Sequence, residues 1–496
     1  MIPMKPFVSF ILIIALLYYL SFVSPVALAQ EALDDTFTSN ASIESVTSTY
    51  DALIKAILII SQVALVGLIF NHLILQGSLR KYKKAQENDV VQFVSTTFYH
   101  MSRKLAVLLL ICCISIIVFS ITIMLLSSYE LAQNLELDMS SAFWIVYSTP
   151  VGDVWMLRIV TSFVIIGIIM LYNINMRRKI NKKNRLNLGR DQDPEQIASS
   201  YGKLDRILLI FILVLSSFNL YSNSMVSHSN SLDSFSSLAV SVDWIHLMSV
   251  SIWIGGLFYL AVLFAKRNLI TADDHNNINT NIVSPSSEKR ILGQMTQGLM
   301  YFSFIAVTAI SVIGITGLYL AFVHLQNLSS LITSLYGLIL MIKLSLAFPM
   351  IFIGRYNQVK IYNYAKFVSN NNVNIKRNVQ EAYQDSDTKS NSRVFLRKIN
   401  KSLKIESILG ILVLVAASFL SVTSPPSLES IDQNLKPSNL NVHSSSDIFA
   451  SNLTFLYLVI FLSIIISIFG IINFRKNQRQ IREVAFLSTT QRTKDG

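Results

Sequence analysis

Nine mostly apolar runs mark this chain, at about 51–75, 104–127, 154–175, 205–222, 243–265, 299–322, 331–354, 405–422 and 452–474. Each is near the roughly 20 residues that a helix needs to cross a bilayer. In hydrocarbon every backbone N–H and C=O must be satisfied within the segment, so runs of this kind are read as helices. The composition agrees: 52% of residues are hydrophobic and 14% charged, against roughly 25% charged in soluble domains. The predicted fold class is therefore all-α, a polytopic membrane bundle. A further apolar stretch, Phe7 to Val23, follows Lys5 and precedes Ala27-Leu28-Ala29. That is the pattern of a cleaved signal peptide, so residues 1–29 are set apart from the fold.

The basic residues fix the topology. With the signal removed, the mature N-terminus lies outside and alternate loops must be cytoplasmic and rich in Lys and Arg. Segments 76–103, 176–204, 266–298, 355–404 and 475–496, with Lys104 at the membrane edge, hold 35 of the 41 Lys and Arg residues. The opposite segments (30–50, 128–153, 223–242, 323–330 and 423–451) hold only Lys436. A missed helix would scramble that split. The chain is thus predicted to lie in the cytoplasmic membrane with its N-terminus outside and its C-terminus inside. The net charge of +12 is a topology signal spread over five loops, which excludes a nucleic-acid partner.

The organisation that follows is a short outer segment (30–50), a first four-helix unit (51–222), a second (223–426), an outer loop with a ninth helix (427–474) and a tail (475–496). The 355–404 loop is long, polar and Asn-rich at 370–374, and reads as a solvated or disordered linker. A faint parallel repeat relates the two units, as is common in transporters. TPVGDVWMLR (149–158) and SLYGLILMIK (334–343) share Thr/Ser, Gly, Met and Arg/Lys in register, and ILVL recurs at 212–215 and 411–414.

Polar residues within a span are costly and usually functional. Lys343, about 12 residues into the seventh run, is predicted near mid-bilayer, with no acid evident at that depth. Asp243 is placed at the outer end of the fifth run and Glu406 at the inner end of the eighth. Soft ligands cluster on the outer side: Met225, His228, His246 and Met248, with Met124, Met139, Met156 and His324 at about the same level. Thioether and imidazole together suit copper, and Met favours Cu(I). Asp243, three residues before His246 on one helix face, is a candidate to orient that imidazole. His72, near the inner end of the first helix, is a candidate exit ligand. Trp253, Gly255 and Gly256 read as packing residues, since glycine permits close helix approach. Cys112 and Cys113 are adjacent and form no CxxC site. No Walker, HExxH or GxSxG motif is present, so the chain is not read as an enzyme.

At these residues the sequence resembles the copper resistance protein D (CopD) family. DWIHLMSVSIWIGGL (243–257) is similar to its Asp-x-x-His…Trp-x-Gly-Gly-Leu signature. SHSN (227–230), the helix ending in Thr316-Gly317-Leu318, Tyr336-Gly337 with Lys343, Asn357 after Gly354, Glu406 and Pro425-Pro426 follow in order. The resemblance implies a multi-pass protein that moves copper, as Cu(I) or Cu(II), inward across the cytoplasmic membrane. His228 and His246 fall on its histidines and Lys343 on its lysine. Many relatives carry or pair with a periplasmic copper-binding β-sandwich (CopC). Segment 30–50 is too short for one, so a separate CopC-like donor is implied. Two other readings stay open. One is a copper sensor or partner that signals through 355–404. The other is a b-type haem carrier, for which His246 (outer) and His72 (inner) make no pair at equal depth.

Overall fold

The computed structural model describes residues 49–83, 88–186, 203–228, 236–273, 285–325, 327–375, 385–427 and parts of 457–479. The signal-peptide segment 1–29 lies outside the described residues. All regular structure among the described residues is helical. In chain order the helices are α1 (Thr49–Lys83), α2 (Asn88–Leu135), α3 (Met139–Tyr147), α4 (Pro150–Leu186), α5 (Lys203–Met225), α6 (Ser236–Asp273), α7 (Pro285–Leu325), α8 (Ser330–Thr333), α9 (Leu335–Ile375) and α10 (Asp385–Leu420).

Eight of these are long and apolar enough to cross a membrane: α1, α2, α4, α5, α6, α7, α9 and α10. For the ninth predicted run, the apolar helix among the described residues is α11 (Ile460–Asn473), shorter than a full span. The side chain of Ile466 on α11 lies against α7 at Gly314. The polar linker expected at 355–404 is largely helical. α9 continues to Ile375 and α10 begins at Asp385, because a helix leaving the bilayer can go on with polar side chains in place of apolar ones.

The spans pack as two rings of four. α1, α2, α4 and α5 each meet the next, and α5 closes on α1; α6, α7, α9 and α10 do the same, with α10 closing on α6. The rings join chiefly through α1 on α6, while α5 also meets α6 and α10 also meets α1. The two joining helices are accordingly the most buried, 67% of the span window in α1 and 61% in α6, against 11% in α9. Their crossing is built on glycine. A Cβ at Gly255 would stand 2.6 Å from the Gly67 Cα and 2.9 Å from the Val63 carbonyl oxygen. Neither contact is a side chain that could swing aside. The Ser418 hydroxyl donates to the Ala52 carbonyl and ties α10 to α1.

The shared pattern at 149–158 and 334–343 has a structural meaning. Thr149 and Ser334 each stand just before a spanning helix. Their hydroxyls accept from Gly152 N at 3.1 Å and Gly337 N at 3.0 Å, the work of an N-cap. Each glycine lies against a short helix, α3 or α8. A Cβ at Gly152 would meet the Val146 carbonyl at 2.5 Å, and one at Gly337 the Leu331 carbonyl at 2.5 Å. The seventh run, read as continuous from 331, is therefore broken at Ser334, whose backbone is extended (ψ 150°).

Candidate functional site

The face of α6 that carries Asp243, His246 and Trp253 looks into the second ring. These residues are three and seven apart, which places them on one side of a helix. His246 meets α7, Asp243 meets α9 and Trp253 meets α10. The opposite side of α6 carries Ser251 and Gly255 and packs on α1, while Gly256 lies between α1 and α7, where a Cβ would crowd both the Phe302 ring and Asn71 Nδ2.

His246 is buried, and its Nδ1 lies 2.9 Å from Thr316 Oγ1. The same hydroxyl donates its one proton to the Val312 carbonyl at 2.7 Å. With that proton committed, the hydroxyl oxygen is placed to accept from His246 Nδ1, and the ring also has the Ile313 backbone as a hydrogen-bond partner. Gly317, the next residue, makes room: a Cβ there would touch the ring's Cε1 at 3.4 Å. The predicted orienter of this imidazole was Asp243, but the structure gives that work to Thr316.

Asp243 instead faces Lys343 and the hydroxyls of Ser224 and Ser227. Its depth differs from the sequence reading. α6 begins at Ser236 and α9 at Leu335, so Asp243 and Lys343 are each about 10–12 Å from the start of their helices at 1.5 Å per residue. An acid does stand level with Lys343, and both lie about a third of the way through the span rather than at its end and its middle. The error came from starting the fifth run at residue 243, although the helix begins two turns earlier. The Lys343 charge also acts on His246.

Just beyond the end of α5 sits His228. Its ring hydrogen-bonds to the Thr423 backbone, and its Nε2 is buried without a partner. Burial, helped by the Lys55 ammonium, holds this imidazole below its ordinary value, so it is neutral. Its electrostatic neighbour is His324 at the end of α7, whose ring packs 6.0 Å from that of Tyr336.

Toward the other end, Glu406 of α10 is buried, accepts from Asn357 Nδ2 at 3.2 Å and hydrogen-bonds with Trp253. Asn357 Oδ1 is buried without a partner. A Cβ at Gly354 would stand 3.1 Å from Glu406 Oε1, which gives the Gly-x-x-Asn spacing its reason.

The four predicted metal ligands do not gather at one point. Met248 is two residues from His246, hence about 200° round the helix at 3.6 residues per turn. It accepts from Ser217 of α5 at 3.4 Å, and with Met225 it packs against Tyr221, Val240 and Trp244. Among the described residues no three His, Cys, Asp or Glu side chains converge as a metal cage. His72 lies in the contact between α1 and α6, 3.1 Å from the Tyr259 hydroxyl. Thr316, Lys55 and Thr423 were missed; only Thr316 carried a signal, as the threonine of Thr-Gly-Leu.

These features define a polytopic helical membrane protein with a file of polar groups inside its second ring. The family model described as Copper resistance protein D matches residues 297–420, a stretch that takes in Thr316, His324, Lys343, Asn357 and Glu406. That stretch, 297–420 of 496 residues, is similar to the family and takes in most of α7 and all of α9 and α10. No curated protein and no solved structure matches it.

Proposed function

We propose that the chain carries copper across the cytoplasmic membrane, in the inward direction, through its second ring. The observation that carries this reading is the state of two histidines. His228 and His246 both commit a ring N–H to a fixed acceptor, the Thr423 backbone and the Thr316 hydroxyl. His228 thereby keeps a buried Nε2 without a partner, an electron pair in the form in which imidazole binds a metal.

Copper enters at His228, with His324 beside it, and passes to His246 deeper in α6. A cation there meets the Lys343 ammonium, but the facing Asp243 carboxylate offsets that charge. The way on runs past Trp253 to Asn357 and Glu406, whose oxygens line the far end. The donor outside is a separate CopC-like chain. Met225 and Met248 belong to the wall between α5 and α6 rather than to the path.

The test is copper uptake into proteoliposomes, comparing wild type with a His228→Ala/His246→Ala double variant. Saturable uptake that the variant loses supports the permease and the ligand pair. Uptake unchanged in the variant overturns the ligand assignment. Copper bound by wild type without uptake overturns transport and favours the sensor.

A further inference from the structure

α9 and α10 lie side by side at the outer wall of the second ring. Between them runs a groove of about 340 Å³, lined by Phe352, Ile353 and Tyr356 from α9 and by Ser402 and Ile405 from α10. All five residues fall inside the membrane spans Leu335–Asn363 and Lys398–Leu420. Phe352 is 72% exposed and Tyr356 57%, so the walls face the bilayer rather than the protein interior. Such a groove suits a hydrocarbon chain.

Its far end has the opposite character. Lys360 is one turn beyond Tyr356 on the same stripe of α9, and its Nζ sits 4.2 Å from the centre of that ring. On α10, Lys398 lies one turn before Ser402, and Lys401 one turn before Ile405. Side chains four apart share a helix face, so all three ammonium groups stand where the groove leaves the membrane. The sole acid within 352–363 and 398–406 is Glu406, which is buried against Asn357 and Trp253. Within these two described segments no other carboxylate accompanies the lysines. This is the edge that the charge split assigns to the cytoplasm, where a bilayer presents its anionic headgroups.

We propose that this groove holds one anionic phospholipid, an acyl chain against Phe352, Tyr356 and Ile405 and the headgroup phosphate among Lys360, Lys398 and Lys401. The pairing of parts is the argument. An apolar wall alone suits any lipid and loose lysines alone suit any anion. A groove that ends in three ammonium groups suits a molecule with a tail and a negative head. The site lies on the lipid-facing side of α9 and α10 and does not depend on the copper reading.

The experiment uses the full chain purified in detergent. Retained lipid is counted by native mass spectrometry, and melting temperature is followed with added phosphatidylglycerol, phosphatidylcholine or soluble glycerol phosphate. Phosphatidylglycerol should remain as a one-to-one adduct and raise the melting temperature, with a preference of about tenfold over phosphatidylcholine, the scale that a few juxtamembrane lysines allow. Glycerol phosphate should do neither. Lys360→Gln/Lys398→Gln/Lys401→Gln should lose the preference, its lipid-free melting temperature showing that it folds. Ile405→Trp, which fills the groove and leaves the lysines, should lose the adduct. Equal retention of both lipids, a preference that survives the triple variant, or a response to glycerol phosphate equal to that to the lipid would overturn the proposal.

Discussion

The hydroxyl of Thr316 should control how tightly His246 holds copper. Its proton is committed to the Val312 carbonyl and its oxygen accepts from His246 Nδ1 at 2.9 Å. Thr316→Val keeps the shape and deletes the acceptor. The ring then loses one buried neutral hydrogen bond, worth about 0.5–1.5 kcal/mol net, and with it the constraint that aims Nε2. Removing the group behind a metal-binding histidine typically costs 10–100-fold in affinity. The ring also has the Ile313 backbone within reach, so part of the constraint survives and the low end is expected. That is about tenfold, or 1.4 kcal/mol. The assay is Cu(I) titration against a competing chelator in detergent, on wild type, Thr316→Val, Thr316→Ser and His246→Ala. Ser should stay near wild type, Val should weaken about tenfold and Ala should weaken more. Equal affinity in wild type, Val and Ser would refute the argument that this hydroxyl fixes the ring.

Two glycines should respond to alanine with opposite signs. At Gly255 a Cβ would stand 2.6 Å from the Gly67 Cα, so Gly255→Ala should lower stability by about 1–3 kcal/mol through overpacking. At Gly167 nothing lies within 4 Å, and alanine should raise stability by up to about 1 kcal/mol through helix propensity; thermal melts in detergent check both. Copper binding at His228 requires the neutral ring. Burial and Lys55 depress its pKa, so binding should persist below pH about 6.5, where a free imidazole is half charged, and fail only at more acid pH. Lys55→Met removes a repelling charge, so the midpoint of a pH titration of copper binding should move upward; a downward move would contradict the placement. Asn357→Leu removes a donor from the buried Glu406 carboxylate and should cost about 1–3 kcal/mol. The cost should shrink when Glu406→Gln is already present, which a double-variant cycle of melts measures.

The spans were legible because hydropathy over some twenty residues is a strong signal and the loop charges check the count. What the sequence hid is of two kinds. Helix starts escape hydropathy: Ser334 breaks an apolar run, and α6 is already helical at Ser236, seven residues before Asp243. That is how the acid facing Lys343 was put at the wrong depth. Partners brought together by packing escape it too. His228 follows α5 and His324 ends α7, and only the closing of the rings makes them neighbours. The methionines show the limit of reading level alone. They share a level with the histidines, but level is not azimuth, and two residues along a helix turn Met248 away from His246. The motif residues fared better. Gly354 and Asn357 are about three and four turns from Lys343 but answer to Glu406 on another helix, so their spacing encodes a contact.

The two rings present the same frame with opposite uses of polarity. In the first, Arg158 takes the place that Lys343 has in the second. Arg158 is buried, and its donors go to Ser222 Oγ at 2.6 Å, the Ser222 carbonyl at 3.1 Å and Asn223 Oδ1 at 3.2 Å. Asn223 in turn donates to Gln62 at 2.6 Å, Gln62 to Asn219 at 2.8 Å, and Asn219 back to the Arg158 carbonyl at 3.1 Å. That network closes on itself. A polar cluster whose members satisfy one another makes a ring rigid and leaves little to offer a passing ion. In the second ring the groups do not close. His228 Nε2 and Asn357 Oδ1 are buried without partners, as Ser120 Oγ is in the first ring. Groups left open cost stability, and under the proposed function the partner of the two in the second ring is the ion. The first ring is joined to the second through the Gly67 and Gly255 crossing, and the family model matches three of the second ring's four spans.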